Sequence, residues 1–153
     1  MLEQINKELY SGYLYLSMAA YFESQNLNGM ASWMKRQSAE EYSHAMKIFD
    51  FVNERGGRVL LEAIDKPKQE WKSALEVFKD AYEHEVEVTK SINALVDLAR
   101  EENDKATEVF LQWFVQEQVE EESSVSEIVE KLKKIENHPG AIFMLDAHLG
   151  SRK

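Results

Sequence analysis

Glu41-Tyr42-Ser43-His44 sets a carboxylate and an imidazole three residues apart. On a helix that spacing puts both on one face, where an oxygen and a nitrogen can converge on one cation. Ser43 adjoins His44, but helical neighbours do not face each other, so a Ser–His nucleophile does not fit. The pair does not stand alone. Apolar residues spaced alternately by three and four define four helical stripes, and each stripe carries at least one carboxylate near its middle. Ile5, Glu8, Gly12, Tyr15, Ala19 and Phe22 form the first; Met30, Met34, Gln37, Glu41, His44, Ile48 and Phe51 form the second. Phe78, Tyr82, Glu85, Val88, Ile92, Leu95 and Ala99 form the third; Phe110, Phe114, Glu117, Glu121, Val125, Ile128 and Leu132 form the fourth. Five carboxylates and one imidazole therefore fall at core-facing positions, with no Lys or Arg to pair with them.

A single helical glutamate is ordinarily solvated; the weight lies in four helices agreeing. An acid in an apolar core neutralises, pairs or takes a metal ion. Several acids together could share protons, but His44 among them makes a metal centre the simpler account. Carboxylate with imidazole and no thiolate suits iron or manganese. In Glu120-Glu121-Glu122 about one residue in three can face inward, because helical residues turn ~100° each. Tyr15, two turns after Glu8, reads equally as a core tyrosine or as a redox or hydrogen-bonding partner of the metals. His84, His138 and His148 read as structural or exposed, and Trp33, Trp71 and Trp113 as packing residues.

The elements that must position these groups are long helices. The chain has 153 residues, 2 Pro and 6 Gly, the size of one domain with a sizeable core. Helices are predicted over about 1–25, 30–55, 74–102, 104–136 and 139–149. Asn26-Leu27-Asn28-Gly29 breaks the first from the second, Gly56-Gly57 ends the second, and Asn103-Asp104 separates the third from the fourth. Ser73 can cap the third helix, and Pro139 suits the first turn of the fifth. Short connections make helices one and two, and three and four, antiparallel hairpins, while the segment after Gly57 is long enough to run back along the second helix. The expected fold is all-α: a four-helix bundle with one long crossover and a short fifth C-terminal helix, forming a single domain over 1–153.

Composition narrows the function. Asp and Glu number 28 against 18 Lys and Arg, a net charge of −10. That opposes broad binding to nucleic acid or anionic membranes and favours cations. The absence of cysteine removes disulfides, thiol catalysis, Cys-ligated zinc and iron–sulfur clusters. The uncharged run Leu9 to Phe22 is too short to cross a bilayer. With no basic leader or cleavage site visible, the expected location is the cytoplasm.

Four separated segments then carry a resemblance: Asn6-Lys7-Glu8-Leu9-Tyr10, Glu40-Glu41-Tyr42-Ser43-His44-Ala45, Glu83-His84-Glu85, and Trp113 to Glu122, with Glu-Arg-Gly-Gly-Arg at 54–58. Over about residues 1–150 the chain resembles the bacterial and archaeal non-haem ferritins. The resemblance implies a di-iron ferroxidase centre. Glu8, Glu41 and His44 would hold the first iron, and Glu41 would bridge to a second held with Glu85 and Glu121. Glu40, Glu117, Glu120 and Glu121 would form a third iron site, with Gln118 a supporting hydrogen-bonding group and Tyr15 the tyrosine near the centre. It also implies Fe(II), Fe(III) and O₂ or peroxide as reactants, and a homo-oligomeric shell, commonly of 24 subunits, around a ferric mineral. Ser124 stands where bacterioferritin has a second Glu-x-x-His, and Tyr42 is nearest its haem-ligating methionine, so no haem is expected. The rival readings are a di-iron oxidase or peroxidase without storage, a Dps-like iron detoxification protein, and a metal-free bundle whose acids share protons.

Overall fold

The computed structural model describes residues 1–152, and among them there are five α-helices and no strand. They are α1 (Leu2–Ser24), α2 (Asn28–Glu54), α3 (Ala74–Glu101), α4 (Lys105–Ile135) and α5 (Pro139–Leu149). These match the predicted spans to within two residues; α2 starts earlier, at Asn28, because the reversal needs fewer residues than the Asn-Leu-Asn-Gly run suggests.

One device ends three of the helices. A residue with positive φ follows each (Asn26 at 59°, Gly56 at 81°, Asn103 at 55°). The next amide then donates back to the last turn: Leu27 N to Phe22 O at 3.0 Å, Gly57 N to Val52 O at 2.9 Å, and Asp104 N to Ala99 O at 2.8 Å. This capping geometry satisfies carbonyls that would otherwise be orphaned, and Asn and Gly are the residues that enter the left-handed region most readily. Starts are capped as well. Ser73 Oγ accepts from Glu76 N at 3.1 Å while Glu76 Oε2 accepts from Lys72 N at 2.8 Å. Asp104 Oδ1 accepts from Thr107 N at 3.2 Å.

The chain divides into two compact units, which are described separately. The first holds Met1–Val77 and the residues from Leu132 onward. In it α1 and α2 pair, and their register is antiparallel: Glu23 meets Lys35 at 3.0 Å, the Gly12 carbonyl accepts from Ser38 Oγ at 2.7 Å, and Glu8 faces His44. Tyr15, Met18, Phe22, Met30, Met34 and Ile48 are fully enclosed in the core. The segment after Gly57 lies against α1. Asn6 Nδ2 donates to the carbonyl of Ala63 at 3.1 Å, Ser17 Oγ donates to that of Lys68 at 2.6 Å, and Tyr21 meets Trp71 edge-on at 5.6 Å. Residues 63 to 71 therefore run in the direction of α1, which is back along α2, as the loop length predicts.

Helix α5 packs on α2. Leu27 cannot cap α2 with its side chain; Asp146 of α5 does so instead, Oδ1 accepting from Met30 N at 2.7 Å. The approach is so close that a Cβ on Gly29 would lie 1.8 Å from the Asp146 carbonyl oxygen. Beyond α5, Arg152 donates to the Trp33 carbonyl at 3.1 Å and to Glu40 Oε1 at 3.0 Å, its guanidinium 4.4 Å from the Trp33 ring centroid.

The second unit, Phe78–Lys131, contains most of α3 and α4. Phe78, Ala81, Ile92, Leu111, Phe114 and Val125 are among its buried residues. Among the described residues no helix is long and apolar enough to cross a membrane.

Candidate metal centre

Gly12 makes room for the first cluster. A Cβ there would stand 3.3 Å from the Ser38 carbonyl and 3.7 Å from Glu41 Cβ, so α1 and α2 approach closely beside Glu41. Glu8, one turn before Gly12, is 1% exposed; Glu41 and His44 are 0% and 3% exposed. His44 Nδ1 lies 3.4 Å from Glu41 Oε2 and 3.8 Å from Glu8 Oε2. Two ligands held ~2.1 Å from one divalent ion at 90–120° stand roughly 3.0–3.6 Å apart, so this spacing suits a shared cation. One ligand atom from each of the three residues lies within 4.8 Å of the others.

The opposite carboxylate oxygens are held. Gln4 Nε2 donates to Glu8 Oε1 at 3.1 Å, and Gln37 Nε2 donates to Glu41 Oε1 at 3.1 Å, both across one helical turn. Glu8 Oε2 is buried and accepts no hydrogen bond. A buried oxygen in that state fits a position meant for a cation, and the N/O donor set suits iron.

Burial pushes the Glu8 carboxyl upward, but the close approach of His44 and Glu41, the charge on His44 and the Gln4 amide outweigh it and hold it below its ordinary value of 4.5. A carboxyl with a depressed folded value stabilises the fold above its unfolded value, and this contribution disappears as the pH falls through the lower, folded one. The melting temperature of the metal-free protein should therefore fall with pH below 4.5. In Glu8→Gln that decline should be shallower by thermal scans between pH 3 and 5; an identical slope would remove Glu8 as its source.

In the second unit, Glu85 is completely buried on α3. Gln118 of α4 donates from Nε2 to Glu85 Oε2 at 3.1 Å, to the Glu85 carbonyl at 3.2 Å and to Thr89 Oγ1 at 3.0 Å. Thr89 Oγ1 in turn contacts Glu122 Oε2 at 2.5 Å. Glu121 is buried at 5% exposure, Glu117 is half-buried and Glu120 is exposed.

The predicted residues thus divide. Glu8, Glu41 and His44 come together in one unit, with Tyr15 fully buried two turns beyond Glu8; Glu85 and Gln118 come together in the other. Glu40 is half-buried and held by Arg152. Glu117 is less enclosed than its stripe position implies, as are Phe51, Tyr82, Leu95 and Phe110, because an apolar stripe has edges as well as a centre. Trp113 is 37% exposed and edge-on to Phe114 at 4.9 Å, so it packs less fully than Trp33 or Trp71. Sequence reasoning missed the supporting roles of Gln4, Gln37 and Thr89; the spacing of four from Gln4 to Glu8 and from Gln37 to Glu41 is the signal that could have found two of them.

Comparison with known proteins gives a consistent picture. Residues 1–135 match the family model described as a ferritin-like domain. A bacterial non-heme ferritin of Bacteroides fragilis is 47% identical over 150 residues, covering 98% of this chain and 93% of that protein. One from Campylobacter jejuni is 41% identical over 147 residues, covering 96% and 88% respectively. Among solved structures, an open pore ferritin from the hyperthermophilic archaeon Archaeoglobus fulgidus superposes with a TM-score of 0.99 at 55% identity, covering 99% of this chain and 93% of that one.

Proposed function

Because this chain belongs to the ferritin family and has its fold, a four-helix bundle with one long crossover and a short fifth helix, we propose that it is an iron-storage ferroxidase. The observation that carries the reading is the buried convergence of Glu8, Glu41 and His44. Fe(II) is the substrate. Glu8, Glu41 and His44 bind one ion; Glu41, with Glu85 and Glu121, binds a second. O₂ or peroxide takes the electrons, and Fe(III) passes to a mineral. Hard anionic oxygens stabilise Fe(III) more than Fe(II), so a carboxylate-rich centre favours the oxidation.

Gln118 fixes Glu85 by donating to one of its oxygens. Tyr15, enclosed on the α1 face that carries Glu8, is assigned as the tyrosine beside the centre. A third ion would use Glu40, Glu117, Glu120 and Glu121. Since Arg152 holds Glu40, filling that position exchanges a guanidinium for a cation. In this reading the two compact units act as one ferritin-like domain.

Storage requires assembly, and the surface supports it. Tyr13, Leu16, Tyr42, Leu61, Phe143 and Met144 are each at least 48% exposed, and Tyr13, Leu16 and Tyr42 line one surface depression. We assign this surface to contacts between copies in a closed homo-oligomeric shell, of 24 subunits if it follows the commonest form.

Two measurements test the proposal. Anaerobic Fe(II) loading followed by air should give rapid Fe(III) absorbance, and its absence would overturn the ferroxidase assignment. Particle mass with iron counted per subunit should show a large assembly holding many ions per chain. A monomer or dimer would leave oxidation without storage.

A further inference from the structure

Two buried amides stand behind the α1–α2 cluster. Gln4 is 2% exposed and Gln37 is 1% exposed. Each lies one turn before a buried carboxylate and donates to it. A Leu or Met at either position would fill the core without the cost of desolvating an amide. Their geometry is selective as well as satisfying. In both pairs the glutamine takes Oε1, and in both pairs Oε2 is the oxygen near His44 Nδ1.

A glutamate carboxylate rotates over a broad, nearly two-fold torsion, so its two oxygens are interchangeable unless something distinguishes them. A fixed N–H donor does so. We infer that Gln4 and Gln37 are positioning residues that select which oxygen of Glu8 and of Glu41 meets the incoming cation. The cluster then offers the first ion three single donor atoms, Glu8 Oε2, Glu41 Oε2 and His44 Nδ1, instead of two chelating carboxylates and an imidazole. Glu41 reaches the second ion through Oε1, an oxygen with two lone pairs that also accepts from Gln37. Each carboxylate held through one oxygen leaves room on the ion for another reactant, which an oxidation centre needs. The same device recurs independently in the other unit, where Gln118 donates to Glu85 Oε2.

The inference rests on the cation-binding reading of this cluster, and the test separates the two. Co(II) is the probe, because its visible absorption reports coordination number and it needs no oxidant. The full-length protein is titrated with Co(II) alongside Gln4→Met and Gln37→Met, which preserve side-chain length and remove the donor. In the variants the freed carboxylate rotates to bind through both oxygens. The absorption per bound ion should therefore weaken and shift toward that of a higher-coordinate site. Affinity should fall by about 10- to 100-fold, as when outer hydrogen-bond partners of metal ligands are removed.

An unchanged spectrum per bound ion overturns the inference, even with weaker binding, because loosened packing alone would lower affinity without changing the coordination. If Gln37→Met does not fold, Gln37→Asn gives the same reading, since it keeps an amide in the core but is one methylene too short to reach Oε1. Failure of the unmodified protein to bind Co(II) would instead overturn the cation-binding reading itself.

Discussion

Glu41→Ala combined with His44→Ala is expected to lower the rate of Fe(II) oxidation by on the order of 100-fold or more, since losing outer-shell partners of metal ligands already costs 10- to 100-fold. Both side chains are enclosed, and their Oε2 and Nδ1 are 3.4 Å apart, so the pair supplies two of the three converging donor atoms. What remains is Glu8, a single carboxylate. It also loses the neighbours that hold its carboxyl low, leaving burial free to push it upward and favour the neutral acid.

The fold should survive. Removing a buried acid relieves a desolvation cost, while the vacated volume and the loss of the Gln37–Glu41 hydrogen bond act the other way. Stopped-flow absorbance after mixing with Fe(II) in air measures the rate, and light scattering measures the particle. Glu127→Ala, at an exposed position on α4, is the control and should oxidise normally. An unchanged rate in the double variant would place the reaction elsewhere in the chain.

Gly29→Ala is the second large effect, on stability. The added carbon would lie 1.8 Å from the Asp146 carbonyl oxygen, 2.7 Å from its carbon and 3.0 Å from Gly150 N. All three are backbone atoms, so no side-chain rotation relieves the clash, and α5 must move away from the first turn of α2. The Asp146 cap on Met30 N is then lost with it. Overpacking of this kind costs about 1–3 kcal/mol and a lost cap ~1 kcal/mol. At roughly 2–4 °C per kcal/mol for a chain of this size, the melting temperature should fall by about 4–16 °C. Gly140→Ala is the comparison: nothing lies within 4 Å of its added carbon, and alanine is the better helix former. A similar loss in both variants would show that helix composition, not the α2–α5 approach, is responsible.

Much of this architecture was legible in the sequence because its breaks are sharp. Asn26, Gly56 and Asn103 are residue types that tolerate positive φ, and each stands two residues past a helix end. Four of the five stripe acids, Glu8, Glu41, Glu85 and Glu121, are buried, because a 3.6-residue period fixes a helix's inner face well near its middle. Glu117 shows where that logic weakens: at a stripe edge a shift of a few tens of degrees changes enclosure. The contacts made by α5 and the residues after it were not legible. No periodicity relates Asp146 to Met30 or Arg152 to Glu40, because both depend on where α5 docks.

The α1–α2 hairpin has a kinetic meaning. Glu8, Glu41 and His44 lie within 36 residues of one another in a pair of helices joined by a three-residue reversal. Bringing them together closes a short loop, and contacts of low sequence separation form early and fast. The converging donor atoms therefore belong to a portion of the chain that is made before the long connection, α3 and α4. They can be in register before the long connection along α1 has been laid down. A nascent chain would in that case hold Glu8, Glu41 and His44 together before α3 and α4 are complete.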